Sequence, residues 1–208
     1  MRALTLTALV VLMTAPGVAM AQTVLDRIVA RVNATIVTQS DVRQAADLKL
    51  VPADAHADRV VVDRAITEAL VNRILILAEI ARYPPPDPSA EAIAAARQQW
   101  AAQFDAKTDF SGLLGRAGMT DAALQAWLRD DLRVQAYEDR RFAATAIVTR
   151  DDLLKYYRDH ADEFRTPTGA LTPFEQVQAD LKVKLAARTR ETAVRDWIAG
   201  LRARADIR

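Results

Sequence analysis

The 208-residue chain has no cysteine, two histidines and six glycines. Without cysteine there are no disulfides, thiol nucleophiles or cysteine-ligated metals, so stability rests on packing. His56 lies in a polar stretch where Asp54, His56 and Asp58 alternate. No further ligand cluster accompanies them, so this reads as a solvated loop and no metal is expected. His160 falls near an expected helix C-terminus, where the helix dipole favours a cation. The few glycines form no phosphate-cradling loop, and no Gly-x-Ser-x-Gly elbow is present. The chain therefore carries no signature of ATP binding or of a serine hydrolase, and no cofactor is expected. Asp130-Asp131 and Asp151-Asp152 are adjacent carboxylates on expected helices. Sequence neighbours on a helix point to different faces, which argues against paired acid–base work. Neither sign of charge is in excess, with 28 Lys and Arg against 27 Asp and Glu. A near-neutral chain is a poor electrostatic partner for nucleic acid.

The N-terminus does carry a pattern. Arg2 is followed by an apolar run from Leu4 to Ala15, a Pro16-Gly17 break and the small-x-small triplet Ala19-Met20-Ala21. This is the layout of a secretory signal peptide covering residues 1–21. The run falls short of the roughly 20 residues needed to span a bilayer. Cleavage after Ala21 is expected to release a mature chain, 22–208, into the periplasm with no stable membrane insertion. Loss of Arg2 would leave 27 basic against 27 acidic residues.

Much Ala, Leu and Arg with little Gly predicts a mostly α fold. The exception is Val24 to Val32, rich in β-branched residues; with Asn33-Ala34 and Thr35-Ile36-Val37 it predicts a β-hairpin. Thr38 with Asp41 predicts a capping box opening the first helix. The apolar spacing of Val62, Ile66, Ala69, Leu70, Ile74, Leu77 and Ala81 predicts a helix over 58–82, ended by Pro84-Pro85-Pro86. Asp87-Pro88 reads as the cap of a third helix to Gln103. A short piece over 110–116 and a helix over 121–144 capped by Thr120 follow. Thr149 with Asp152 caps another to about Asp162. Thr172-Pro173-Phe174-Glu175 reads as a cap, an N1 proline and a capping box for a last helix reaching about Arg202. Residues 205–208 read as a short C-terminal strand. It would pair with the hairpin, which is too small to stand alone. No internal repeat or interdomain linker is evident, so 22–208 reads as one domain with 172–208 as its C-terminal helix and strand.

The middle of the chain is rich in aromatic and Met side chains. Trp100, Phe104, Phe110, Leu114 and Met119 are the candidate substrate-binding residues; packing in a core is the competing reading. Broad aromatics and flexible Met suit promiscuous contacts, and Phe104, Phe110 and Met119 fall in or beside expected loops. No catalytic residue is identified.

Several segments together resemble one family. Ile28-Val29-Ala30-Arg31-Val32-Asn33, followed by Ile36-Val37-Thr38-Gln39-Ser40-Asp41-Val42, is similar to the SurA N-terminal domain: a hydrophobic strand ending in Val-Asn, a turn, a second strand and a Ser-Asp-Val helix start. Asp63 to Glu79, Ala65 to Ile76 especially, resembles a helix of that family of the form Leu-x-x-Ile-Leu. Arg129 to Arg141 with Ile147-Val148-Thr149-Arg150-Asp151-Asp152 resembles the stretch leading into its isomerase. The resemblance covers nearly all of Leu25 to Arg208 and rests on the order of packing patterns. It implies a helical chaperone module with a small N-terminal β-hairpin joined by a C-terminal strand. It also implies a periplasmic, ATP-independent chaperone whose apolar cradle holds unfolded or extended outer-membrane or exported polypeptides. In that family a parvulin isomerase domain usually lies between segments like Asp151–Phe164 and the helix after Thr172. Here seven residues, Arg165 to Leu171, join them. A domain needs about 50 residues, so the expectation is a module without isomerase activity, with Phe164 and Thr172 close together and no cavity or partial sheet between them. The alternatives are an exported adaptor with one fixed envelope partner, or a degenerate peptidyl-prolyl isomerase.

Overall fold

Asn33 takes a left-handed backbone conformation (φ 53°) and turns the chain between β1 (Ile28–Val32) and β2 (Thr35–Thr38). Asparagine tolerates that conformation, so Asn33-Ala34 suffices as the hairpin turn. The computed structural model describes residues 26–54 and 56–208. The signal-peptide reading and the start of the expected first strand lie outside them. The antiparallel register pairs Val32 with Thr35, Arg31 with Ile36, Ala30 with Val37 and Ile28 with Thr38, with an irregularity at Val29.

Seven α-helices follow among the described residues: α1 (Gln39–Asp47), α2 (Arg59–Ile80), α3 (Ala90–Ala101), α4 (Phe110–Arg116), α5 (Asp121–Phe142), α6 (Arg150–Asp159) and α7 (Phe174–Ala203). Single 3₁₀ turns at Ala143–Ala146 and Ala161–Phe164 extend α5 and α6. No described helix is long and apolar enough to cross a membrane.

Local chemistry accounts for most helix starts. Thr38 and Asp41 form a reciprocal capping box at α1, and Thr149 and Asp152 form another at α6. Thr120 caps α5. Two expected starts are corrected. Ser89 caps α3, its hydroxyl accepting from the Ala92 N–H, so Asp87-Pro88 is the approach to the helix and not its cap. At α7 the cap position is Pro173, with no side-chain cap bond. Thr172 is committed elsewhere: its N–H donates to the Phe164 carbonyl (2.8 Å) and its carbonyl accepts from the Tyr157 hydroxyl (2.6 Å). Those bonds tie Thr172 to the preceding segment.

The seven-residue join is a tight hairpin. Phe164 and Thr172 are close, as expected, but one antiparallel bridge, Arg165 to Leu171, forms between them where no sheet pairing was expected. Gly169 at φ 85° supplies the left-handed turn residue it needs. At the chain's other junction, Ile207 forms a single bridge to Val32. Arg31 and Arg208 exchange backbone bonds (2.8 and 3.0 Å), and Asn33 N–H donates to the Asp206 carbonyl (2.8 Å). The C-terminal segment thus closes on β1 as a bridge shorter than the expected strand.

Three apolar clusters result. The largest packs the hairpin, α1, α2, the end of α5 and the end of α7 together through Val32, Val42, Ile66, Ile80, Tyr137 and Trp197. α2 buries more than its one sequence stripe: Val71, Leu75, Ile76 and Ile80 are buried as well. β1, α1, α5 and α7 all contact this helix, so it is covered on more than one side. A second cluster surrounds Trp100, and a third, small one joins Leu153 of α6 to Phe174 and Leu181 of α7.

Candidate functional site: a branched apolar groove around Leu50

The chain leaves α1 through a tight C-terminal motif. Lys49 N–H donates to the Ala46 carbonyl (3.1 Å) and Leu50 N–H to the Ala45 carbonyl (2.9 Å), with Lys49 left-handed at φ 49°. This is the Schellman closure, whose left-handed position usually holds glycine. It buries Leu48 and leaves Leu50 half-buried between the two larger clusters.

Three adjoining cavities share Leu50. The largest, about 730 Å³, lies between the 50–59 loop and the start of α2 and is lined by Leu50, Val51, Pro52, Ala53, Val62 and Ile66 among others. A second, about 250 Å³, lies between α3 and α5 with Trp100, Trp127 and Leu128 in its wall. The third, about 200 Å³, is bounded by β2, α1, α2 and α5, with Ile36, Leu70, Ile74 and Trp127 lining it. Lys49 borders the first two and Trp127 the last two. Ile36, in the wall of the third cavity, is 50% exposed, and Val60 (76%) and Val61 (59%) at the start of α2 are exposed as well.

An ion pair links the second and third cavities, Asp131 lining one and Arg73 the other. Arg73 of α2 pairs with Asp131 of α5, donates to the Trp127 carbonyl (3.0 Å) and stacks its guanidinium 3.8 Å from the Trp127 ring centre. Burial raises the Asp131 pKa above the ordinary carboxylate value, outweighing the opposing pull of Arg73.

The five residues expected to bind substrate do come together, but as a small core. Trp100, Leu114 and Met119 are buried, while Phe104 and Phe110 are half-buried. The rings of Trp100, Phe104 and Phe110 meet at 5.2 to 5.9 Å, and the Trp100 indole N–H donates to the Leu48 carbonyl (2.7 Å). Phe104 and Met119 do sit in loops, and Phe110 opens α4. The groove itself was missed. Local spacing gives no signal for it, because its walls come from segments far apart in the sequence.

The polar stretch around His56 holds a His56–Asp54 contact of 3.5 Å, with both side chains exposed. His160 stacks on Tyr156, ring centres 3.9 Å apart. Among the described residues, no group of three or more His, Asp or Glu is placed to hold a metal ion. No protein-family model matches the chain, and no curated protein matches it.

Proposed function

We propose that this protein is an exported, ATP-independent chaperone that works in the periplasm. It holds extended segments of unfolded outer-membrane or exported polypeptides against the apolar groove at Leu50, without isomerase chemistry. The observation that carries this reading is the groove: three adjoining cavities that share Leu50, two of them lined mostly by aliphatic side chains and the one between α3 and α5 by apolar and polar groups together, with the lining residue Ile36 50% exposed. Contiguous exposed apolar surface marks an interaction site. A branched, open surface with few fixed polar contacts suits many sequences weakly, so release needs no energy source. Loose contacts of this kind shield exposed segments from aggregation. The resemblance to the SurA N-terminal domain supports the same reading. The tight hairpin at Arg165 to Leu171, in the place of the family's isomerase domain, supports the absence of that chemistry.

The test is suppression of aggregation with several unrelated unfolded proteins. The wild-type protein is expected to protect all of them. Val62→Glu places a charge in the largest cavity and is expected to weaken capture about ten-fold, comparable with losing one buried valine at about 1.5 kcal/mol. Protection of one partner alone would make the protein an adaptor, and protection of none would end the chaperone reading. Turnover of a proline-containing test peptide would overturn the non-enzymatic part.

A further inference from the structure

We propose that the groove selects polypeptide segments that carry a carboxylate beside their apolar residues, and that Lys49 is the group that recognises it. This rests on the chaperone reading and names the class of segment the site prefers. Charge complementarity carries it. The charged residues lining the two cavities that Lys49 borders are Lys49, Asp54, Arg59 and Asp131. Arg59 is paired with Asp63 at 3.0 Å, Asp131 with Arg73, and Asp54 accepts from the His56 N–H at 2.9 Å beside its ring. Lys49 has no carboxylate within ion-pair distance among the described residues. Its ammonium donates to the Gln103 carbonyl (2.6 Å) and lies 4.6 Å from the centre of the Phe104 ring. An ammonium has three donors, so two remain after the Gln103 bond, on a residue that borders both cavities.

The backbone supplies an independent observation. Lys49 occupies the left-handed position of the Schellman closure, where a side chain is strained and glycine is at ease. A strained residue is ground for asking what its side chain does. The bond to Gln103 positions the ammonium just past the end of α3. A segment lying over Leu50, its aliphatic side chains in the groove, would bring a neighbouring carboxylate to this cation. A side-chain carboxylate and a chain-terminal one offer the same chemistry.

The experiment measures binding of three labelled octapeptides of Leu, Val and Ala to the mature full-length protein. One carries an internal Glu and an amidated C-terminus, one an internal Gln and a free C-terminus, and one an internal Gln and an amidated C-terminus. One or both carboxylate peptides are expected to bind about two- to five-fold tighter than the neutral one, the range of an exposed ion pair. The gain should shrink as salt rises, and which peptide shows it identifies the source. Lys49→Gly should lose the gain while keeping or raising the thermal unfolding midpoint, because glycine relieves the backbone. Lys49→Arg should retain the gain. Equal binding of all three peptides, or a gain that survives in Lys49→Gly, overturns the assignment of Lys49 while leaving the groove reading intact. Absence of binding by any peptide, together with no suppression of aggregation, overturns both.

Discussion

Trp100 separates a packing role from a binding role at a single side chain. It is 4% exposed, and its indole N–H satisfies the Leu48 carbonyl, which lies just before the left-handed turn at Lys49. Trp100→Phe keeps a ring but orphans that carbonyl, so a loss of about 1–3 kcal/mol in urea unfolding is expected. Trp100→Ala adds a cavity and is expected to cost about 3–5 kcal/mol. A tryptophan that served mainly to touch clients would show the opposite pattern, with weakened binding at unchanged stability. Asp131 gives the residue scale its pH dependence. Its pKa is raised by burial, with Arg73 pulling the other way. The folded chain therefore holds this proton more tightly than the unfolded chain does. The corresponding stability is fully present below the ordinary value of 3.8 and is lost as pH rises through the folded value. Asp131→Asn, neutral throughout, is expected to flatten that part of the curve of urea midpoint against pH. Arg73→Met removes the carboxylate's partner cation and should push the Asp131 pKa further up. Its cost near neutral pH is expected at the lower end of about 1.5–3 kcal/mol, because Asp131 is about a third exposed and water screens the pair.

Helix ends show where local sequence suffices and where it does not. At α6 the Thr149 hydroxyl accepts from the Asp152 N–H, and the Asp152 carboxylate accepts from Thr149 in return. Those bonds, the Thr149 hydroxyl first, hold the Asp152 pKa below its ordinary value. Its contribution is present above 3.8 and is lost as pH falls through the lowered value, opposite in sign to that of Asp131. Thr172 and Glu175 have the same spacing, yet no box forms there, because the backbone of Thr172 is bound to Phe164 and Tyr157. Thr149→Ala is therefore expected to cost about 1 kcal/mol in chemical unfolding, and Thr172→Ala close to nothing. Equal losses would restore the cap that the spacing suggested. The same contrast explains what was legible in the sequence. Caps made within four residues, as at Thr38, Thr120 and Thr149, and the period of the long helices can be read directly. The second buried side of α2 depends on β1, α5 and α7 arriving from distant parts of the chain, and so does the burial of Trp100 under Leu48. The groove was illegible for that reason: it is the gap left between elements, and Leu50 acquires its place only after α2, α3 and α5 have packed around it.

Across the whole molecule, burial is unevenly shared, and this sets where the fold should open first. The main cluster draws on both ends of the described residues, closed by the Arg31–Arg208 backbone bonds, with α2 running through it. The third cluster has three buried residues, Leu153, Phe174 and Leu181. α7 belongs to both: its start packs on α6, its end carries Trp197 and Leu201 into the main core, and no residue between Leu181 and Trp197 is buried. Few buried contacts mean a low free energy of local opening. In native-state hydrogen exchange, α6 and the first half of α7 are therefore expected to exchange through local openings, well before α2. Leu153→Ala, a loss of about 2–5 kcal/mol, should speed exchange across that segment and leave α2 protected. Ile66→Ala, in the main core, should lower protection everywhere. Were Leu153→Ala to lower protection in α2 equally, the two clusters would be one cooperative unit and the middle of α7 a rigid coupling. Independent opening would instead leave the groove at Leu50, built on the main and second clusters, intact while the hairpin end moves.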